Sequence, residues 1–208
     1  MFLAQETLTI KFIKSPYFFL AVLLLVLACY FFIDLRVAII FYHIKNSWLV
    51  HVARIITRLG DWTYYIKAAL LLYLIAKIFK KPQLARFALF IVLTITVSGL
   101  LCDGMKVLCG RARPTLWFNK EMYGFYFLHT PNALLSFPSG HATVITSAMV
   151  ALSLAWRRYA SIFVGLLLVV SFSRVVVGAH YMSDILMGIY IGTITSILLY
   201  QKVYKNSH

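Results

Sequence analysis

Three stretches of the chain concentrate residues that can do chemistry: Lys106 with Arg113-Pro114, Pro138-Ser139-Gly140-His141, and Ser173-Arg174 with His180 and Asp184. Lys106, Arg113 and Arg174 are cations without a matching number of carboxylates nearby. Arginine forks grip phosphate oxygens bidentately, and lysine adds a point charge. Ser139-Gly140-His141 falls at an expected helix start, where free N–H groups and the helix dipole favour an anion. Gly140 lets the backbone approach closely. This set reads as a pocket for a dianionic phosphoryl group. His180 and Asp184 are four residues apart, which predicts one shared helix face. A carboxylate accepting from one imidazole nitrogen fixes the tautomer and leaves the other nitrogen as a nucleophile. His141 supplies a second imidazole that can protonate a leaving oxygen. Two histidines, one carboxylate and three cations suffice for phosphoryl transfer without a metal.

The rest of the composition is consistent with a metal-free, cofactor-free site. Only 6 Asp+Glu occur in 208 residues, too few for a two-metal centre. Cys29, Cys102 and Cys109 form neither a CxxC nor a Cys/His cluster, so they predict free thiols and no disulfide framework.

These residues must be positioned by elements of unusual polarity. The chain is 62% apolar and 12% charged, against roughly 25% charged in an ordinary soluble domain. That excludes a soluble enzyme, a disordered chain and the usual nucleic-acid-binding domain. What remains is an all-α polytopic membrane protein, one domain over residues 1–208. Six spans are expected, each of roughly 20 apolar residues: about Tyr17–Ile33, Trp62–Ile78, Arg86–Met105, His141–Trp156, Tyr159–Val177 and Tyr181–Tyr200. Val26-Leu27-Ala28-Cys29 faintly resembles a lipoprotein cleavage site, but the run continues apolar to Ile33, which suits a span better. Between the first two spans, Ser47, His51, Arg54 and Arg58 recur at steps of 4, 3 and 4. This predicts an amphipathic interfacial helix over Val37–Leu59, capped by Ser47. Its basic face would anchor the helix in the interface or attract an anionic headgroup.

The net charge of +14 sits at the ends of apolar runs, as expected for membrane flanks, anionic lipid or an anionic substrate rather than nucleic acid. With the N-terminus placed in the cytoplasm, basic residues divide ten against ten, which decides nothing. The tight basic turns Lys77–Arg86 and Arg157-Arg158 still favour the inside. Six spans put both termini on one side and all three polar sets on the opposite face. Arg111 reads as a solvated loop charge, with support of the phosphate-binding residues as the alternative; Lys120, Glu121 and His129 read as residues of a solvated Thr115–Phe137 loop, with headgroup contact as the alternative, and Asp103 as a structural partner of Lys106.

Lys106-x6-Arg113-Pro114, Pro138-Ser139-Gly140-His141 and Ser173-Arg174-x5-His180-x3-Asp184 resemble, complete and in order, the three signature motifs of the type 2 phosphatidic acid phosphatase (PAP2) superfamily. The resemblance implies a metal-independent lipid phosphatase with a periplasmic or luminal site in a bacterial inner membrane. It implies His180 as the nucleophile that forms a phosphohistidine, Asp184 as its orienting carboxylate, and His141 as the acid and then the base. Lys106, Arg113, Ser139, Gly140 and Arg174 would hold the phosphoryl oxygens. The partners implied are a phosphorylated membrane lipid and the bilayer. Candidate substrates are lipid A, undecaprenyl pyrophosphate, phosphatidylglycerol phosphate and phosphatidic acid. Tyr123-Gly124-Phe125, ahead of Ser136-Phe137-Pro138, is similar to the lipid A phosphatase branch. Two alternatives stand beside hydrolysis: phosphotransfer between two lipids, and a non-catalytic lipid carrier.

Overall fold

A computed structural model describes residues 10–205. It is all-helical, and the described residues contain no strand beyond one isolated bridge between Arg111 and Phe125. Helix α1 runs Pro16–His43, α2 Trp48–Ile56, α3 Trp62–Ile78, α4 Pro82–Cys109, α5 Pro114–Lys120, α6 Gly140–Ala155, α7 Ala160–Val176 and α8 Met182–Tyr200. Among the described residues, four segments are long and apolar enough to cross a membrane: Pro16–His43, Pro82–Cys109, Arg157–Val176 and Met182–Tyr204. Helices α3 and α6, with 17 and 16 residues, are shorter.

Helix α6 is the hub and packs against α4, α7 and α8. A bilayer offers no hydrophobic drive between helices, so close backbone approach and buried hydroxyls must supply the contact. The sequence provides both. On α8, Gly188 and Gly192 face α6, and a Cβ on Gly192 would lie 2.6 Å from the Thr143 carbonyl. Ser139, Thr143 and Ser147, spaced one turn apart on α6, are fully buried. The Ser147 hydroxyl lies 2.7 Å from that of Ser98 on α4. Large apolar side chains such as Leu24, Phe31, Leu74, Leu100 and Leu168 point outward, the inverse of a soluble core.

Three segments differ from the sequence expectation. The first apolar helix does not stop at Ile33. It passes through a π-helical turn over Cys29–Ile33 and continues to His43. The interfacial helix is correspondingly shorter, Trp48–Ile56, followed by a 3-10 turn over Thr57–Gly60. The break falls at Lys45–Ser47. Ser47 holds the N-cap position, yet its hydroxyl caps nothing and is buried without a partner. Val50 and Ala53 seat this short helix against Val176, so its apolar face packs on protein rather than only on lipid. The loop expected over Thr115–Phe137 is also partly helical, its first residues through Lys120 lying in α5. Lys120, Glu121 and His129 are exposed, as expected, and the three cysteines are free thiols.

Candidate active site

The three polar stretches meet at one end of the bundle. The last turn of α4 carries Lys106 and stops at Gly110, whose φ of 56° places it in the left-handed region. A Cβ there would also lie 2.8 Å from the Phe127 backbone nitrogen, so glycine alone turns the chain this tightly. Beyond it, the backbone is pinned by Ala112 N–H to the Gly124 carbonyl, Arg113 N–H to the Ala133 carbonyl and Ser136 N–H to the Arg111 carbonyl.

Lys106 Nζ donates to Asp103 at 2.7 Å, the pairing expected from the sequence. It also overhangs the start of α6, since a Cβ on Gly140 would approach Nζ to 3.0 Å. Ser139 is the N-cap of α6. Its own N–H donates to the Asp184 carbonyl at 3.1 Å, tying the second motif to the third. The Ser139 hydroxyl accepts the Ala142 N–H at 3.5 Å, and the N–H groups of Gly140 and His141, which precede it in the first turn, have no acceptor within the helix. The His141 ring rests against Gly60, where a Cβ would come within 2.9 Å of Cδ2. Lys106, Gly140 and His141 line a cavity of about 390 Å³ that continues between α3, α4 and α6 toward Ile66, Ile95 and Val144.

Arg174 lies in the last turn of α7, and beyond Val176 the chain folds back toward it. Both the Ala179 and His180 N–H groups donate to the Arg174 carbonyl. This turn sets the third motif's cation beside its histidine. Arg174 Nη1 donates to Thr57 Oγ1 at 2.8 Å, while its Nε is buried without a partner. Arg113 is held by carbonyls, with Nε on Asn132 at 2.8 Å and Nη1 on Ala179 at 3.2 Å.

His180 is almost wholly buried. It precedes α8 rather than riding on it, so the expected shared helix face does not exist. The pairing with Asp184 arises because the chain turns into the helix there. Asp184 Oδ2 accepts the Tyr181 N–H at 2.9 Å and the Ser136 hydroxyl at 2.6 Å, and lies 3.4 Å from His180 Nδ1. The shorter bond from Nδ1 goes to the Ser136 carbonyl, at 2.8 Å. A carbonyl can only accept, so Nδ1 carries the proton and Nε2 keeps its lone pair. Burial, reinforced by the nearby Arg113 and Arg174 charges, pushes the imidazole pKa down to about 4, against the pull of Asp184. The ring is therefore neutral at physiological pH.

Arg111 overturns the expectation of a solvated charge. It is fully buried. Nη1 donates to Asp184 Oδ1 and to the Ser183 hydroxyl, and Nη2 donates to Asp34 Oδ2 at 2.7 Å. Tyr30, Tyr123, Phe125 and Tyr181 surround the guanidinium. Burial alone would lower its pKa; Asp184 and then Asp34 more than reverse this, so Arg111 stays charged. Asp34 also accepts the Ser183 N–H at 3.0 Å and the Ser183 hydroxyl. Asp34, Thr57, Gly60, Arg111, Ser136 and Ser183 thus join the site; sequence reasoning offered a supporting role there only as the alternative for Arg111 and assigned none of the others to it. One signal was available. Asp34 directly follows an apolar run, and an acid at that depth demands a cation.

The fold and the site together define a helical membrane protein with a polar, phosphate-suited cluster at one end of its bundle. The chain belongs to the PAP2 superfamily, which residues 87–208 match. It is 31% identical to the lipid A 1-phosphatase of Rhizobium johnstonii over 159 residues, 71% of this chain and 65% of that protein. To the lipid A 4'-phosphatase of Porphyromonas gingivalis it is 30% identical, over 70% of this chain and 62% of that one. The chain thus spans slightly less than two thirds of these relatives. The PAP2-type phosphatidylglycerolphosphate phosphatase of Bacillus subtilis shares its fold, with a TM-score of 0.67, 22% identity, and coverage of 89% of this chain and 96% of that one.

Proposed function

We propose that this chain is a membrane lipid phosphatase that removes a phosphate from a lipid headgroup through a phosphohistidine. The observation that carries the reading is the bond from His180 Nδ1 to the Ser136 carbonyl, which leaves Nε2 unprotonated beside the cations. Nε2 attacks phosphorus, the bond from phosphorus to the leaving oxygen breaks, and His141 gives that oxygen a proton. His141 then takes a proton from water, whose oxygen attacks the phosphohistidine and releases phosphate and free His180. Asp184 orients His180 and balances the charge it acquires. Lys106, Arg113, Arg174 and the N–H groups at Ser139-Gly140 stabilise the charge spread over the phosphoryl oxygens.

The whole chain acts as one six-span domain, with α3 and α6 as the two short spans. Both termini lie in the cytoplasm of a bacterium, and the site opens at the outer face of the inner membrane. Lipid A is the first candidate substrate, supported by the names of the two relatives. Undecaprenyl pyrophosphate, phosphatidylglycerol phosphate and phosphatidic acid follow.

The test is phosphate release by detergent-solubilised protein from these four lipids, with His180→Ala as control. Release from one lipid, lost in the variant, establishes the phosphatase and names its substrate. Release from none, alongside transfer of phosphate to an added acceptor lipid, establishes the transferase instead.

Two results follow from the cations. EDTA should leave the rate unchanged, because protein cations rather than a metal neutralise the phosphoryl charge; a large loss overturns that assignment. Arg174→Lys should lower kcat/KM by about 10²-fold, the scale of losing one preorganised donor. A lysine cannot hold Thr57 and phosphate with separate arms of a fork. Near-normal kcat/KM in that variant would remove Arg174 from phosphate binding.

A further inference from the structure

Beside the phosphate site lies a second cavity of about 230 Å³, between the end of α1, α2, α5 and the turn after α7. Lys45 and Arg54 form its cationic rim, and Thr115 and Asn119 add hydroxyl and amide groups. Tyr42 and Phe118 make one wall, their rings stacked at 3.8 Å between centroids and 11° apart. The Lys45 ammonium sits 4.4 Å over the Tyr42 ring. Arg54 Nη2 donates to the Lys45 carbonyl at 3.4 Å, which keeps the two side chains on the same rim. Among the described residues neither cation pairs with a carboxylate, and no acid lines the cavity.

Two of its lining residues lie close along the chain to residues of the site already described. Thr115 stands two residues after Arg113, and Gly178 on its floor two residues before His180. At about 3.3–3.6 Å per residue, each pair is at most about 7 Å apart. A single phosphate on a small headgroup is served by Lys106, Arg113 and Arg174 and has no use for two further cations. Two unpaired cations, an aromatic wall and amide and hydroxyl donors suit a sugar ring that carries its own anion.

We propose that this cavity binds a second anionic group, a sugar-borne phosphate, of the same lipid whose other phosphate occupies the His180 site. The proposal rests on the phosphatase reading and narrows its substrate to headgroups with two separated phosphates.

The test compares two acylated disaccharide lipids, one with two phosphates and one with a single phosphate. Wild type and the Lys45→Ala/Arg54→Ala double variant are assayed on both. The variant should lower the ratio of kcat/KM for the two-phosphate lipid to that for the one-phosphate lipid by about tenfold or more, carried mainly by KM. Both residues are exposed, so the melting temperature should hold. An unchanged ratio, or a parallel fall on both lipids, overturns the second subsite while leaving the phosphatase reading intact. No release by wild type from either disaccharide lipid overturns the second subsite; if the other three candidate lipids also release no phosphate, the phosphatase reading falls with it, a failure told apart because it appears before any substitution.

Discussion

His180→Asn should yield a folded protein whose phosphate release falls by on the order of 10⁴-fold or more, the scale of deleting a nucleophile that acts as a unit with its neighbours. Asparagine is chosen over alanine for a physical reason. The His180 ring donates Nδ1–H to the buried Ser136 carbonyl. Alanine would strand that acceptor, at a cost of about 1–3 kcal/mol. An asparagine N–H can reach the same carbonyl, but its amide nitrogen has no free lone pair to attack phosphorus as imidazole Nε2 does. The Asn variant therefore separates chemistry from folding. Its melting temperature in detergent should stay close to wild type, and His180→Ala should melt lower. Steady-state phosphate release from the lipid that wild type hydrolyses reads the chemistry. Activity within about tenfold of wild type in His180→Asn would overturn the nucleophile assignment. It would also move attention to His141, the other imidazole of the three motifs. The pH dependence offers a second check. With the His180 pKa near 4, the nucleophile stays unprotonated as pH falls through the ordinary histidine range, so its own protonation should not limit the rate until near pH 4.

How much of this could be read in advance differs by element. The three motifs were legible because their residue types are costly at the end of an apolar helix and are few. Lys106, His141, Arg174 and His180 stand out for that reason alone. The first helix was misread because hydropathy averages over a window. Asp34 and Arg36 look like the end of a span, whereas the chain turns through Cys29–Ile33 and carries Asp34 inward. Arg111 was misread for a related reason. It sits in a short polar stretch, between Gly110 and Ala112, where a solvated charge is the ordinary outcome. Its burial depends on two carboxylates that are 77 and 73 residues away, and no local pattern reports contacts of that range. The α6–α8 contact, in contrast, is written in spacing: Gly188, Gly192 and Ser196 fall on one stripe of α8 at four-residue steps. Thr57 and Gly60 belong to neither case. Nothing in their type or spacing marks them, and only the tertiary approach of the 3-10 turn puts them against Arg174 and His141.

Arg111→Ala should be the most damaging substitution outside the motifs' named residues, and the asymmetry of its network says how to prove it. Arg111 is the only cation between two fully buried carboxylates, Asp34 and Asp184, among the described residues. Removing one partner of a buried ion pair costs about 3–5 kcal/mol, because the charge left behind is neither solvated nor balanced. Here two charges are left. The total stability of a domain is about 5–15 kcal/mol, so Arg111→Ala should lower the melting temperature sharply and reduce the yield of folded protein. Catalysis should fail in whatever folds. Asp184 would lose the donor on Oδ1 and keep only the Tyr181 N–H and Ser136 hydroxyl on Oδ2, and a catalytic group misplaced by about 1 Å costs about 10²-fold. Asp34→Asn tests the same network from the other end. It removes one of two negative charges and leaves Arg111 paired with Asp184, while the asparagine amide oxygen can still accept the Ser183 N–H. That variant should fold and retain most of its turnover. The decisive quantity is the difference between the two variants in melting temperature and in kcat. If Arg111→Ala melts and turns over like Asp34→Asn, the guanidinium is not what holds Asp184 in place, and the buried triad has no part in positioning His180.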